Sequence, residues 1–228
     1  MASGKRARRD NVIQLERNPV EYGFTDVKPL NFIQAEYLRA IQSNQIVFGV
    51  GSAGTGKTYV AATYAAGELF HRRIQKIILT RPNVETGRGL GFLPGTLEEK
   101  YAPYLEPFDN VFARSLGKGF YEYALKAKTI EPKPLGFMRG ATFDNCIVLL
   151  DEAQNATKEE MKMLLSRIGK NCKMIISGDV DQSDIPDSGL SDAIHRLDGI
   201  PDIEVVRFMD DDIVRSKMCK QIILAYRD

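Results

Sequence analysis

Two glycines, a lysine and a threonine fall at fixed intervals in Gly51-Ser52-Ala53-Gly54-Thr55-Gly56-Lys57-Thr58, and that spacing, G-x-x-x-x-G-K-[ST], suits very few backbones. Glycines let the chain curl until successive N–H groups face one point, beside a helix N-terminus whose unpaired donors and dipole favour negative charge. The flanks agree with such a loop. Ile46-Val47-Phe48-Gly49-Val50 reads as a short buried strand, and Val60-Ala61-Ala62 to Leu69-Phe70 as an Ala-rich helix. Strand, loop, helix is the order of a phosphate cradle. The expectation is therefore an α/β fold in which Gly51, Ser52, Ala53, Gly54, Thr55 and Gly56 surround a polyphosphate. Lys57 then reaches the β- and γ-phosphates, and Thr58 holds Mg²⁺.

With 228 residues, 43% of them hydrophobic, the chain is long enough for one α/β domain. Residues 1–18 open with Lys5, Arg6, Arg8 and Arg9 and too little apolar content to fold, so the expected division is a disordered basic arm, 1–18, and one domain, 19–228. A formal net charge of +1 provides no global field for nucleic acid, and any such surface must be local. Cys146, Cys172 and Cys219 are far apart, and His71 and His195 build no zinc site without them. We read a reduced, cytoplasmic chain. No apolar run approaches the roughly 18 residues of a membrane span, and no secretory signal opens the sequence.

Upstream of the loop, a helix entered at Asn31 is expected from Ile33, Leu38 and Ile41 with Ala35 and Tyr37. Gln34 in its first turn carries an amide able to read an adenine edge, or is a plain surface glutamine. Downstream, Lys76-Ile77-Ile78-Leu79-Thr80 reads as a strand ended by Arg81-Pro82. Residues 83–95 hold four glycines and a proline, too many for a core element. Arg81 and Arg88 there either follow a phosphate backbone or sit on a mobile connector. Leu97 to Leu116 reads as helical with a break near Pro103 and Pro107, its Tyr101, Tyr104, Phe108 and Phe112 belonging to the core more readily than to a base-stacking platform. In the little-patterned stretch 117–145, Leu135 to Met138 is a candidate strand.

A second chemical centre is Cys146-Ile147-Val148-Leu149-Leu150-Asp151-Glu152, a continuous apolar run suited to a parallel strand buried on both faces and ending in two acids. Asp151 suits Mg²⁺, and Glu152 suits a base that polarises an attacking water. Thr157 and Glu160 form a capping box for a helix with Met161, Leu164, Leu165 and Ile168 on one face, closed by Gly169. Arg167 points away from that face, toward a phosphate, a neighbouring subunit or solvent. A strand from Lys173 to Ile176 runs into Ser177-Gly178-Asp179 and Gln182, polar groups at a strand tip where α/β sheets bind ligands, placed to sense a γ-phosphate. Ser188 starts a helix to Leu197, Ile203 to Arg207 is the last strand, and Ile213 to Tyr226 the last helix. Near its start, Arg215 either steadies transferring phosphoryl oxygens, including a neighbour's, or pairs with Asp211 or Asp212.

Taken together, these residues make the chain resemble the PhoH-like ATPase family, a RecA-like core related to superfamily-one helicases, from about Leu30 to Tyr226. The resemblance rests on Gly51 to Thr58; on Thr80-Arg81-Pro82 through Leu90-Gly91-Phe92-Leu93-Pro94-Gly95; and on Asp151-Glu152-Ala153-Gln154-Asn155. Ser177-Gly178-Asp179 with Gln182, and Ile213-Val214-Arg215-Ser216, complete it. One departure is Ala141, where the family motif usually carries a second arginine. The resemblance implies a P-loop NTPase fold, a central mostly parallel sheet with helices on both faces. In it, the strand ending at Ser177 lies between those ending at Val50 and Leu150, gathering Asp151, Glu152 and Asp179 around one γ-phosphate. It also implies ATP hydrolysis with Mg²⁺, action on RNA or single-stranded DNA in some members, ring formation, and Gln34 as adenine reader. Superfamily-one helicases place ATP between two cores and this chain has length for one, so a homo-oligomer is expected, a hexamer, with Arg215 or Arg167 reaching the next subunit's ATP. The alternatives are a nucleotide-dependent assembly or switch protein and, last, a kinase.

Overall fold

The computed structural model describes residues 23–82 and 106–225. The basic arm, the segment 83–95 with Arg88, and Tyr101, Pro103, Tyr104 and Tyr226 lie outside the described residues. Among the described residues, a sheet of order β3-β2-β4-β5-β1-β6 is parallel throughout. Its strands are β1 (Ile46–Gly51), β2 (Lys76–Thr80), β3 (Ile130–Pro132), β4 (Cys146–Leu150), β5 (Cys172–Gly178) and β6 (Ile203–Phe208).

Side chains alternate across these strands, and that alternation builds two cores. Val47, Ile147, Leu149 and Ile175 face one layer, with α1 (Phe32–Ser43), α2 (Lys57–Phe70), α3 (Glu106–Leu116) and α4 (Lys118–Lys126). Phe48, Val50, Val148, Leu150 and Ile176 face the other, under α5 (Lys158–Leu165) and α6 (Gly189–Leu197). The central strands β4, β5 and β1 are buried on both faces, which their near-continuous apolar sequences require. Pro132, which has no N–H to donate, sits on the edge strand β3.

As expected, Asn31 caps α1, accepting from the Gln34 N–H, and Thr157 with Glu160 forms the capping box of α5. The strand through Ser177 does lie between β1 and β4. Phe108 and Phe112 belong to the core, Phe112 stacking on Tyr121. Pro107 is the second described residue of α3, where a missing N–H costs no helical bond, and the expected break upstream of it lies outside the described residues.

Three local expectations are corrected. Leu135–Met138 is a 3-10 turn and not a strand. It follows Pro134, and its buried residues, Leu135 and Met138, are spaced by three while Phe137 is exposed, a period that a strand cannot produce. The helix after the capping box stops at Leu165, short of Gly169. Residues 166–168 turn instead, so that the Arg167 carbonyl accepts the Phe143 N–H. The last helix, α7 (Lys217–Ala225), begins after Arg215 and not at Ile213. Ile213 is extended, with φ −63 and ψ 118, and Val214 donates its N–H to the Gly54 carbonyl, 3.1 Å away, which ties the segment before α7 to the glycine loop.

Candidate nucleotide site

β1 delivers the glycine loop at its C-terminal end, and α2 leaves from it at Lys57. Two glycines are obligatory. Gly51 has φ +128 and a Cβ there would lie 2.0 Å from the Phe208 carbonyl oxygen; Gly56 has φ +88 and a Cβ would lie 2.5 Å from Gln34 Nε2. The loop is braced from inside. Thr55 Oγ1 donates to the Ser52 carbonyl at 2.9 Å, and Ser52 Oγ donates to Asp210 Oδ1 at 2.5 Å. Lys57 Nζ donates to the carbonyls of Gly51 and Ser52 at 2.6 and 2.8 Å, which puts its charge in the middle of the curl. Burial pushes the ammonium's proton affinity down, while Asp179, Asp151 and Glu152 pull it back up.

Those three acids arrive on other strands. Asp151 and Glu152 follow β4, and Asp179 follows β5. Asp151 Oδ1 lies 3.2 Å from Thr58 Oγ1, so the hydroxyl and carboxylate expected to share a magnesium ion are neighbours across the cleft. Both are hard oxygen donors, the chemistry Mg²⁺ takes alongside phosphate oxygens. Asp179 is 5% exposed, its Oδ2 is buried with no hydrogen-bond partner among the described residues, and its charge acts on Lys57. Glu152 has φ 54 and ψ 38, a left-handed conformation unusual for a side-chain-bearing residue and frequent at functional sites. Half of its side chain is open to solvent (50%), as a group that meets water must be.

Sequence reasoning gave Gln154 no chemical role, yet it links the two acidic strand ends. Its Nε2 donates to Glu152 Oε2 at 2.7 Å and its Oε1 accepts the Asp179 N–H at 3.0 Å. Asn155 continues the link, accepting the Asp184 N–H at 2.9 Å. Arg81, read from the sequence as following a phosphate backbone or sitting on a mobile connector, has one terminal nitrogen 2.8 Å from Asp151 Oδ2 and 3.5 Å from Glu152 Oε1. The sign of that pairing was available: two adjacent acids at a strand tip need a cation, and β2 is the next strand.

Other expected residues sit as follows. Gln34 is fully buried; its Nε2 donates to the Thr55 carbonyl at 2.8 Å and its Oε1 accepts the Leu30 N–H at 2.8 Å. Its amide thus braces the loop from behind. Arg215 lies against its own loop: a Cβ on Gly54 would come within 2.9 Å of the Arg215 Cδ. Gln182 is exposed in the turn after β5, with its N–H bonded to the Asp179 carbonyl. Arg167 stands at the end where β4 and β5 begin, its carbonyl paired with Phe143, so it is at the opposite end of the sheet from the loop. No helix of the described residues is long and apolar enough to cross a membrane.

Comparison with known proteins places this arrangement. The family described as "PhoH-like protein" matches residues 26–227. Protein PhoH of Escherichia coli (strain K12) is 44% identical over 209 residues, covering 88% of this chain and 59% of its own. A PhoH-like protein of Bacillus subtilis (strain 168) is 48% identical over 196 residues, covering 85% and 61%. The chain therefore spans about three fifths of the length of these relatives. Among solved structures, the Pif1 helicase from Candida albicans matches 80% of this chain and 41% of its own with a TM-score of 0.40 at 15% identity. A glycine loop on a parallel sheet, two acids at the tip of β4 and a family match over nearly the whole chain agree, and the chain belongs to the PhoH-like protein family.

Proposed function

We propose that the protein hydrolyses ATP with Mg²⁺ and couples turnover to contact with RNA or single-stranded DNA as an oligomeric ring. One observation carries the hydrolytic part: Lys57, Thr58, Asp151, Glu152 and Asp179 come from three chain-distant places and meet at the C-terminal ends of β1, β4 and β5. In this reading the loop N–H groups and Lys57 bind the polyphosphate, and Thr58 and Asp151 hold the cation, which neutralises charge on the phosphoryl oxygens. Glu152 takes the proton of the attacking water, and Asp179 holds that water's second hydrogen or a phosphate-bound proton. Gln154 fixes the direction of Glu152.

Support for nucleic acid comes from the family resemblance and from Arg88 on its glycine-rich segment. Support for a ring is of another kind. Leu30, Phe32, Met209 and Val214 are exposed apolar side chains on two segments joined by the bond from Asn31 Nδ2 to the Asp212 carbonyl, beside the loop. A second copy covering this face would shield them. Arg215, exposed and packed on Gly54, would then stand at the seam. A slow nucleotide switch is the second reading, favoured by the pairing of Arg81 with both acids.

Phosphate release in the presence of ATP and Mg²⁺, titrated with RNA and DNA homopolymers, tests the proposal. We expect turnover that rises with single strands and falls with salt. Turnover indifferent to every nucleic acid leaves the switch; no turnover at all removes both hydrolytic readings.

A further inference from the structure

Asp151 and Glu152 are adjacent in sequence, and their carboxyl groups stand together at the tip of β4, the first largely buried and the second half open to solvent. What offsets their repulsion is on the neighbouring strand. Thr80 of β2 is in register with Leu150 of β4, and the Asp151 N–H bonds to the Thr80 carbonyl at 3.1 Å, so the residues that follow, Arg81 and Asp151, emerge side by side. Buried Pro82 then fixes where the backbone goes, leaving the Arg81 side chain as the movable part. One guanidinium nitrogen serves both acids, at 2.8 Å to Asp151 Oδ2 and 3.5 Å to Glu152 Oε1. The Arg81 and Asp151 side chains are only 18% and 10% exposed, so this pair is screened little by water. The remaining Asp151 oxygen faces Thr58. Asp151 is thus shared between a cation of the chain and the place where a metal cation would be held.

We propose that Arg81 is a positioning residue that keeps the site at rest: it engages Asp151 and Glu152 as an internal counter-ion and competes with the divalent cation for the first and with water for the second. This deepens the ATPase reading and rests on it for the turnover half only. Swinging Arg81 away releases both acids at once.

The test uses the full chain and two readouts. Mn²⁺ is the probe for the cation, its binding to nucleotide-free protein followed by electron paramagnetic resonance. Arg81→Ala is expected to bind Mn²⁺ roughly three- to tenfold more tightly than wild type, the effect of removing one partly buried opposing charge at hydrogen-bonding distance. Its turnover without nucleic acid is expected to rise several-fold, because Glu152 is released to meet water. Arg81→Lys, which keeps the charge and the packing but not the reach to both acids, is expected to move both readouts in the same direction by less, and it stands in if the alanine variant does not fold. Unchanged or weaker Mn²⁺ binding overturns the proposal. A fall in turnover at unchanged KM also overturns it, and makes Arg81 a helper of the transition state instead. Tighter Mn²⁺ binding in a protein whose wild type hydrolyses nothing upholds the counter-ion and rejects the ATPase.

Discussion

The glycine loop and the acidic strand ends face each other across a few ångströms, yet they are built on opposite plans. The loop draws most of its bracing from its own neighbourhood: Lys57 bonds Gly51 and Ser52, and Thr55 bonds Ser52. Gln34, Asp210 and Val214 reach in from outside. The acidic end has no such local order. Asp151, Glu152 and Asp179 hang from two strands, are tied by Gln154, and are balanced by Arg81 from a third. A contiguous segment can thus make a binding site, but the reactive arrangement depends on strand order.

If the two regions divide the labour of binding and chemistry, substitutions should separate them. The largest effect is expected from Glu152→Gln, which removes the base while keeping shape. Turnover should fall by roughly 10²–10⁴, the usual contribution of a positioned proton acceptor, with ATP affinity within about twofold of wild type. Stopped-flow phosphate release beside equilibrium nucleotide binding measures both, and equal losses in each would erase the division. Lys57→Ala is the converse. ATP affinity should drop by about a hundredfold, two charge-assisted hydrogen bonds' worth, because the loop's one cation is gone.

Legibility in the sequence follows the same line. The loop, β1, α2 and the capping box at Thr157 could be read because each is specified within a few residues. The run Cys146–Leu150 was legible as a doubly buried strand because a parallel sheet leaves it no polar face. Leu135–Met138 was not, since a short apolar run suits a strand or a 3-10 turn equally until its neighbours fix the period. The start of α7 was hidden because Ile213 and Val214 continue the apolar pattern of the helix while the backbone at Ile213 is extended and Val214 is tied to Gly54, 160 positions earlier in the chain. The pairing of Arg81 with Asp151 was hidden because it follows from the β2–β4 register, which no local pattern around Arg81 records. Gln34 looked like a base reader, and the structure gives its amide a task in the loop.

Smaller effects sharpen the contrast. Gln154→Ala leaves Glu152 and the Asp179 N–H without their shared partner. About a tenfold loss of turnover is expected, equivalent to one well-placed hydrogen bond, at unchanged ATP affinity; a loss of affinity alone would move Gln154 to the binding side. Gln34→Leu removes the brace behind the loop and strands the buried Thr55 carbonyl. Urea unfolding should show about 1–3 kcal/mol lower stability, and no loss would mean that the loop holds itself. The smallest effect is a pH dependence. Burial lowers the Lys57 proton affinity below its ordinary 10.5, so between the lowered value and 10.5 the unfolded chain binds a proton that the folded chain has shed. Stability contributed by this group must therefore rise with pH through that window. Urea midpoints of wild type and Lys57→Met should diverge in that sense on the alkaline side, and parallel curves would place Lys57 in water.

The central claim is that the loop and the acids converge on one magnesium-bound triphosphate. A crystal structure with a non-hydrolysable ATP analogue and Mg²⁺ tests it most directly. The account predicts phosphates on Lys57, the cation between Thr58 and Asp151, and a water between Glu152 and the terminal phosphate. Nucleotide bound elsewhere, or a cation remote from Asp151 with Glu152 turned to solvent, would contradict it.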